Sequence, residues 1–247
     1  MNTKDYLQKK AEHQANAPQY RTLCFKCIQP TFSCYCKNIK PISCPINFVI
    51  LIHPIEAKRR IATGRMSHLC LQGSYLIKGQ NFSDHPEIDS LIADPEYHSV
   101  ILYPGQQSVN LSLISKDDHS DIFPSEKKLR IFVIDGTWAT ARRMVRQSNN
   151  INKLPRISFN PPHPSNFRVR KQPASHCYST IEAVHHTIEL LGPSHNFNIT
   201  NRPHDHLLHI FNMMVENQLR FLSEVKMNQR KAHYRREAQL VVSDFNS

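Results

Sequence analysis

Four cysteines lie within thirteen residues near the start of the chain, as the pair Cys24 and Cys27 followed by the pair Cys34 and Cys36. Zinc favours four tetrahedral thiolates, and a site this local can order a segment too short to build its own core. Free thiols or disulfides are the alternatives, but a reducing compartment disfavours disulfides. The spacing predicts a small structural zinc knuckle over residues 23–44, with no open position for a catalytic water.

Three turn-forming loops each follow an apolar run that is typical of a buried strand. They are residues 53–56, Tyr103-Pro104-Gly105 and Asp135-Gly136-Thr137-Trp138. Taken singly, each loop can be a plain turn or a strand end that caps the next helix. If the strands are parallel, however, their carboxyl ends gather at one edge of the sheet, where ligands usually bind. The loops are therefore predicted to converge.

Trp138 is the only tryptophan and stands at an apparent helix start. An aromatic side chain at this place can stack on a base, and the backbone N–H groups beside it can bind an oxygen-rich ligand. The alternative is a large core anchor. Arg142 and Arg143 follow on the same predicted helix, where they face either phosphate or water.

These loops need strands and helices to position them. The apolar runs that predict strands are residues 46–52, 99–103, 129–134 and 156–159. Helical spacing covers residues 63–77, the segment after Trp138, residues 180–191 and residues 205–239. Because strands and helices alternate, the sequence predicts an α/β fold with a mostly parallel sheet flanked by helices.

Composition limits the class of protein. The chain has 247 residues, a formal net charge of +11 and a hydrophobic fraction of 40%. Its longest apolar run, Phe48–Ile52, is far below the roughly 20 residues of a membrane span, so we expect no membrane association. The first residues lack the apolar centre of a secretory signal, which predicts a cytoplasmic protein. Positive charge spread along the chain favours a polyanionic partner, with nucleic acid as the leading candidate.

Together the motifs resemble the DTW domain family, whose signature is present here as Asp135-Gly136-Thr137-Trp138. The resemblance runs from Leu23 to Gly192, and the four-cysteine segment resembles bacterial members. Its other pieces are His53-Pro54 with Glu56, Thr63-Gly64-Arg65, Leu102–Gly105, Ala141-Arg142, Leu154-Pro155, Arg168–Arg170 and Ser179–Ala183. Two positions depart from the family pattern: Ala62 stands where Asn is expected, and Phe167 where Tyr is expected. Each departure removes hydrogen-bonding capacity.

The resemblance implies a tRNA-uridine aminocarboxypropyltransferase. Such enzymes move the 3-amino-3-carboxypropyl group of S-adenosylmethionine to N3 of a tRNA uridine, and release 5′-methylthioadenosine; bacterial relatives suggest position 47 in the variable loop. The resemblance also implies a SPOUT-like fold with a C-terminal trefoil knot that forms the cosubstrate site. The alternatives are an RNA base methyltransferase with the same cosubstrate, and a zinc-containing RNA-binding protein without catalysis.

The resemblance further implies roles for individual residues. Asp135 is the candidate base that removes the uridine N3 proton, or else a positioning group, and Thr137 and Trp138 complete the catalytic set. The expected cosubstrate residues are His53, Thr63, Gly64, Tyr103, Pro104, Gly105, Ser179, Thr180 and Glu182. The expected tRNA contacts are Arg65, Arg142, Arg143, Arg168, Arg170 and Lys171. Glu182 either binds the cosubstrate amino group or stabilises a helix start.

The expected organisation is one catalytic domain with extensions. Residues 1–22 form an N-terminal extension, residues 23–44 the zinc knuckle, and residues 45–200 the catalytic domain. Residues 201–247 form a basic helical extension, whose positive end either contacts phosphate or is a solvated face.

Overall fold

The chain folds around a six-stranded sheet in a computed structural model that describes residues 22–115, 118–170, 174 and 177–227. The strands are β1 (Asn47–Ile52), β2 (Tyr75–Lys78), β3 (Tyr97–Leu102), β4 (Val109–Asn110), β5 (Lys128–Asp135) and β6 (Arg156–Ser158). Their order across the sheet is β2-β1-β5-β3-β6-β4, and every pairing is parallel. The predicted α/β fold with a mostly parallel sheet is confirmed.

Helices cover both faces of this sheet. They are α1 (Pro54–Ala57), α2 (Thr63–Cys70), α3 (Pro86–Ala93), α4 (His119–Ile122), α5 (Trp138–Gln147), α6 (Asn149–Asn152), α7 (Thr180–Leu191) and α8 (Asp205–Met227). Short 3-10 turns occur at Thr31–Ser33, Cys36–Asn38 and Pro193–His195. Among these residues, no helix is both long enough and apolar enough to cross a membrane.

The central strand β5 explains how two cores form. Successive side chains of a strand point to opposite faces, so Ile131 and Val133 pack on one side and Phe132 on the other. The first face lies under α2, α7 and α8, and the second under α3, α5 and α6. A strand buried on both faces reads as a continuous apolar run, which is why residues 129–134 were recognisable in the sequence.

One predicted element was wrong in part. The helical spacing over residues 63–77 corresponds to α2, which ends at Cys70, followed by β2, which begins at Tyr75. The helix ends because Leu71 already has an extended backbone, and Gly73 then turns the chain into β2 with a φ of +68°, a left-handed conformation that glycine adopts without steric cost. The two-residue strand β4 was not predicted. The helix predicted over residues 205–239 is present up to Met227, and its remainder, with the basic end, lies outside the described residues.

The cysteine segment packs against the main core and is not an isolated knuckle. Cys27 and Tyr35 are almost completely buried in the same apolar cluster as α7 and α8. The side-chain amide of Gln29 donates a hydrogen bond of 2.8 Å to the carbonyl of Arg60. The segment therefore supports the loop that leads into α2.

Candidate active site at the carboxyl ends of the central strands

The three loops singled out in the sequence meet at one edge of the sheet. Strands β1 and β3 flank β5, with Ile52 in register with Asp135 and Leu102 in register with Val133. The backbone N–H of His53 donates a 2.9 Å hydrogen bond to the carbonyl of Asp135, which joins the first loop to the third. The predicted convergence at the carboxyl ends of parallel strands is confirmed.

Asp135 is the last residue of β5, and its carboxylate is held between the amino ends of two helices. The hydroxyl of Thr180, at the start of α7, donates a 2.6 Å hydrogen bond to Oδ1. Oδ2 has no hydrogen-bond partner and faces the backbone of Gly64 in α2, where a Cβ atom would lie 2.6 Å from it. Thr63 joins the two helix ends, since its hydroxyl accepts a 3.2 Å hydrogen bond from the N–H of Thr180.

The environment raises the pKa of Asp135 to about 6, mainly because burial disfavours the charged form. The hydrogen bond from Thr180 and the backbone amide of Gly64 act in the opposite direction. The negative charge of Glu56 raises the pKa further, and the guanidinium of Arg170 lowers it. The result is a carboxylate that can accept a proton near neutral pH.

The buried Glu56 forms an ion pair with the partly buried Arg170 beside Asp135. Two nitrogens of the Arg170 guanidinium donate hydrogen bonds of 3.1 and 2.9 Å to the two oxygens of Glu56. Arg59 adds a contact of 3.2 Å to the same carboxylate. The sequence marked Glu56 as part of a motif but gave it no role, because its burial depends on an arginine that is distant in the chain.

Glu182 fixes the beginning of α7. Its carboxylate accepts hydrogen bonds from the backbone N–H and the hydroxyl of Ser179, at 2.8 and 2.6 Å, in a capping box. It also accepts from the hydroxyl of Ser165 and the N–H of Asn166, at 2.8 and 2.7 Å. Four donors thus surround the two oxygens, in agreement with the helix-start interpretation of Glu182. Binding of a cosubstrate amino group by this residue stays a prediction.

His53 and Thr137 cap helices at the same edge. The Nδ1 atom of His53 accepts a 3.2 Å hydrogen bond from the N–H of Ile55 and so caps α1. The hydroxyl of Thr137 accepts a 3.2 Å hydrogen bond from the N–H of Thr140 and caps α5. Because its Nδ1 is an acceptor, a neutral His53 carries its proton on Nε2 and can donate from there.

Trp138 is the first residue of α5, and 42% of it is exposed. It is therefore not the core anchor that was the alternative interpretation. A partly exposed indole three positions after a buried carboxylate provides an apolar face that can stack on a nucleobase.

The second loop, Tyr103-Pro104-Gly105, directly precedes Gln106 and Gln107, which line a pocket of about 590 Å³. The Arg156 guanidinium lies 5.6 Å from the centre of the Tyr103 ring, and a Cβ at Gly105 would lie 2.9 Å from Arg156 Nη1. Glycine at this position therefore lets the arginine approach the loop closely. The pocket is lined by Gln106, Gln107, Asn152, Lys153, Leu154, Pro155 and Arg156.

The arginines expected to contact tRNA divide into two groups. Arg142, Arg143 and Arg168 are exposed. Arg65 is buried, and it donates hydrogen bonds to the carbonyl of Arg59, at 3.0 Å, and to that of Ala57. Arg170 is bound to the Glu56 carboxylate described above.

Arg65 and Arg170 each direct two guanidinium nitrogens to acceptors inside the protein, and phosphate contact by either residue stays a prediction. Lys171 lies outside the described residues.

The two departures from the family pattern are both buried. Ala62 is buried at the N-cap position of α2 and offers no side-chain cap to that helix. Phe167 is buried with its ring centre 5.4 Å from that of Phe211 in α8. Both residues support elements that carry site residues.

The four cysteines of the N-terminal segment come together as their spacing predicted. The sulfurs of Cys24 and Cys36 are 3.7 Å apart, those of Cys27 and Cys34 are 3.6 Å apart, and all four lie within 4.8 Å of one another. A tetrahedral zinc with bonds of about 2.3 Å separates its sulfurs by about 3.8 Å. The cluster has the geometry of a four-thiolate metal site.

Comparison with known proteins assigns the chain to a family. Residues 21–219 match the model of the DTW domain. The chain is 29% identical over 184 residues to tRNA-uridine aminocarboxypropyltransferase 2 of Drosophila melanogaster, a match that covers 72% of this chain and 69% of that protein. It is 28% identical to the enzyme of the same name from Mus musculus, over 73% of this chain and 58% of that protein.

It is also 24% identical over 204 residues to tRNA-uridine aminocarboxypropyltransferase A of Arabidopsis thaliana, over 74% of this chain and 77% of that protein. The matched region is thus less than two thirds of the mouse protein. No solved structure matches the chain significantly. Because the family match covers most of the sequence, the chain belongs to the DTW domain family.

Proposed function

We propose that this protein transfers the 3-amino-3-carboxypropyl group of S-adenosylmethionine to N3 of a uridine in tRNA. The observation that carries the proposal is the position of the family signature: a buried carboxylate of raised pKa ends the central strand, and an exposed tryptophan opens the next helix. The names of the relatives support the same reaction. The proposed position in the tRNA is uridine 47.

Asp135 accepts the proton that leaves uridine N3. As the N3–H bond breaks, its electron pair attacks Cγ of the methionyl group, the carbon that joins the aminocarboxypropyl group to sulfur. The sulfonium supplies the leaving group, since the carbon–sulfur bond breaks with its electron pair on sulfur and leaves neutral 5′-methylthioadenosine. A carboxylate with a pKa of about 6 is ionised at neutral pH, yet binds a proton better than an exposed aspartate.

The elements around Asp135 orient the reactants. The indole of Trp138 stacks on the uracil ring, and Thr137 fixes the first turn of α5 that carries it. His53, Thr63, Gly64, Ser179 and Thr180 surround the carboxylate at the ends of α1, α2 and α7 and form one wall of the cosubstrate site. The loop Tyr103-Pro104-Gly105 and its pocket form the other wall, beyond β5. Holding both reactants in line supplies much of the rate enhancement.

The tRNA backbone lies along the exposed arginines. Arg142 and Arg143 project from α5, which also begins with Trp138, so phosphate binding and base stacking share one rigid helix. Arg168 is a further exposed contact. The net charge of +11 favours such an association.

The four cysteines bind a structural zinc ion in this proposal, because their sulfur separations fit tetrahedral thiolate coordination. The fold is proposed to be SPOUT-like with a C-terminal trefoil knot. In support, β5 lies between β1 and β3, and α7 returns to the end of β5 at Asp135. The proposed location is the cytoplasm.

Product analysis tests the function. The purified protein is incubated with S-adenosylmethionine and an unmodified tRNA transcript, and the tRNA is digested and weighed by mass spectrometry. The expected result is one aminocarboxypropyl increment on a uridine, with an equal amount of 5′-methylthioadenosine. A methyl increment with S-adenosylhomocysteine would contradict the proposal, as would tight tRNA binding without any product.

A further inference from the structure

A second cluster of metal-ligand residues lies at the far end of α7 from Asp135. His185 and Glu189 stand in the second half of α7, and His204 and Asp205 stand at the start of α8. One ligand atom from each of the four lies within 4.8 Å of the others. Glu189 is about 13 Å along the helix from Thr180, at about 1.5 Å per residue. The cluster is therefore distinct from the site around Asp135.

The separations in this cluster fit one small cation. His185 Nε2 lies 2.8 Å from Asp205 Oδ1, and His204 Nε2 lies 3.6 Å from Glu189 Oε1 and 3.9 Å from Asp205 Oδ1. Zinc with bonds of about 2.0 to 2.1 Å separates tetrahedral ligands by about 3.3 Å. These three separations differ from that spacing by about 0.3 to 0.6 Å.

His204 provides an independent sign that a ligand belongs here. Its side chain is completely buried, and neither ring nitrogen has a hydrogen-bond partner. Buried polar atoms without partners are rare because they lose their hydration without compensation. The ring centre of His204 is 4.7 Å from that of His185, so the two imidazoles border the same space.

Arg202 presently contacts the oxygens that a metal would use. Its Nη2 atom lies 2.6 Å from Glu189 Oε1 and 2.9 Å from Asp205 Oδ1, and its Nε atom lies 2.6 Å from Asp205 Oδ2. On the other side, His186 Nδ1 lies 3.3 Å from Glu189 Oε2. The carboxylates are thus arranged around positive charge. The Arg202 side chain is half exposed and can turn into solvent when a cation replaces it.

We propose that His185, Glu189, His204 and Asp205 form a second metal site, which binds zinc in a structural role. Two imidazoles with two carboxylates match the ligand preference of zinc, and four protein ligands leave no open position for catalysis. The ion would tie the second half of α7 to the start of α8. Since α7 carries Thr180 at its other end, this link would also stabilise the position of the helix that contacts Asp135.

Metal content per chain gives the first test. The full-length protein is purified from zinc-supplemented cells, and its zinc is measured by inductively coupled plasma mass spectrometry. We expect two ions per chain in the wild type and one in His204→Asn. The matched variant Cys27→Ser at the cysteine cluster loses the other ion, which separates the two sites. One ion in the wild type, or two in His204→Asn, would overturn the proposal.

Two further variants test the same metal site if His204→Asn folds poorly. Glu189→Gln alters a partly exposed residue and should also lose one ion while its circular dichroism stays native. Arg202→Gln removes the competing guanidinium, so calorimetric titration of zinc into the chelator-treated protein should give binding on the order of tenfold tighter at this site. His209→Gln, on the exposed side of α8, should change neither result. Unchanged or weaker zinc affinity in Arg202→Gln would contradict the proposed exchange of cations.

Discussion

The acid centre and the arginine face differ in burial and in the partners of their charged groups. The acid centre consists of Asp135, Glu56 and Arg170, and the arginine face consists of Arg142, Arg143 and Arg146 on α5. In the acid centre Asp135 and Glu56 are buried and Arg170 is partly buried, and each is held by a hydrogen-bond partner. On the arginine face the side chains are exposed. Only two residues separate Asp135 from Trp138, where α5 begins. The chain thus passes from a desolvated site to a solvated surface within one turn.

This difference indicates two separate functions, which are removal of a proton in the acid centre and binding of tRNA on the arginine face. Removal of a proton needs a group with a shifted pKa and a fixed position, which burial provides. Binding of a polyanion needs mobile, hydrated cations that exchange with counterions, which burial would prevent. Changes in the acid centre should therefore act on turnover and on its pH dependence, whereas changes on the arginine face should act on tRNA affinity and on its salt dependence.

The largest expected effect is that of Asp135→Asn on turnover. Asparagine keeps the shape but cannot accept the proton, so the rate of transfer at saturating substrates should fall by about 10²-fold to 10⁴-fold. Single-turnover formation of modified tRNA measures the rate, and filter binding shows that tRNA affinity is retained. Asp84→Asn is the matched control, because it removes the same charge at an exposed position with a φ of 56° that asparagine tolerates. A near-normal rate in Asp135→Asn would exclude the role of base.

The same substitution should increase the free energy of unfolding at neutral pH. The pKa of Asp135 is raised from 3.8 to about 6 in the folded protein, so the folded state binds this proton more tightly than the unfolded state. The stability of the wild type therefore falls as pH rises from about 4 to about 6, by on the order of 3 kcal/mol. Asp135→Asn avoids this loss, so its advantage is full above pH 6 and absent below pH 4.

Denaturant unfolding of both proteins at pH 4 and pH 7 measures this difference. If Asp135→Asn were the less stable protein at pH 7, the ionised carboxylate would be a structural link between α2 and α7. The stability measurements would then no longer support the role of Asp135 as a base. Asp84→Asn again serves as the control and should behave as the wild type does at both pH values.

A smaller effect is expected from the ion pair beside Asp135. Glu56→Gln removes a negative charge that raises the pKa of Asp135. The acidic limb of the plot of turnover rate against pH should therefore move to lower pH. Arg170→Gln removes a positive charge that lowers this pKa, so the limb should move to higher pH. Each shift should be about one pH unit or less. The double variant should lie between the two, and shifts in the same direction would contradict the electrostatic coupling.

The elements of the fold were predictable where periodicity alone decides them. Residues 129–134 and 180–191 carry the patterns of a doubly buried strand and of an amphipathic helix, and both elements were found. The end of α2 was missed because the apolar pattern continues through Leu71 into β2, although the backbone is already extended at Leu71. The meeting of the strand-end loops was also predictable, because it follows from parallel pairing.

The surroundings of each charged residue were not predictable. Arg65 and Arg142 are alike in the sequence, but the first is buried and the second is exposed. Glu56 owes its burial to Arg170, 114 residues later in the chain. Long-range pairing of this kind leaves no local pattern, so the sequence indicates which residues gather at the site but not which of them face inward.

The smallest effects are expected on the arginine face, and they should appear in tRNA binding rather than in turnover. Arg142→Gln and Arg143→Gln each remove one exposed charge, so each should reduce the slope of log affinity against log salt by about 0.7 to 0.9. Fluorescence titration of labelled tRNA at several salt concentrations measures the slope. Lys128→Gln is the matched control, because it removes one exposed charge at the start of β5, about 23 Å from Asp135 at about 3.3 Å per residue. Turnover at saturating tRNA should stay unchanged in all three variants, since none of these side chains contacts Asp135. A reduced turnover with unchanged salt dependence in Arg142→Gln or Arg143→Gln would place these arginines with the acid centre and remove the division between the two regions.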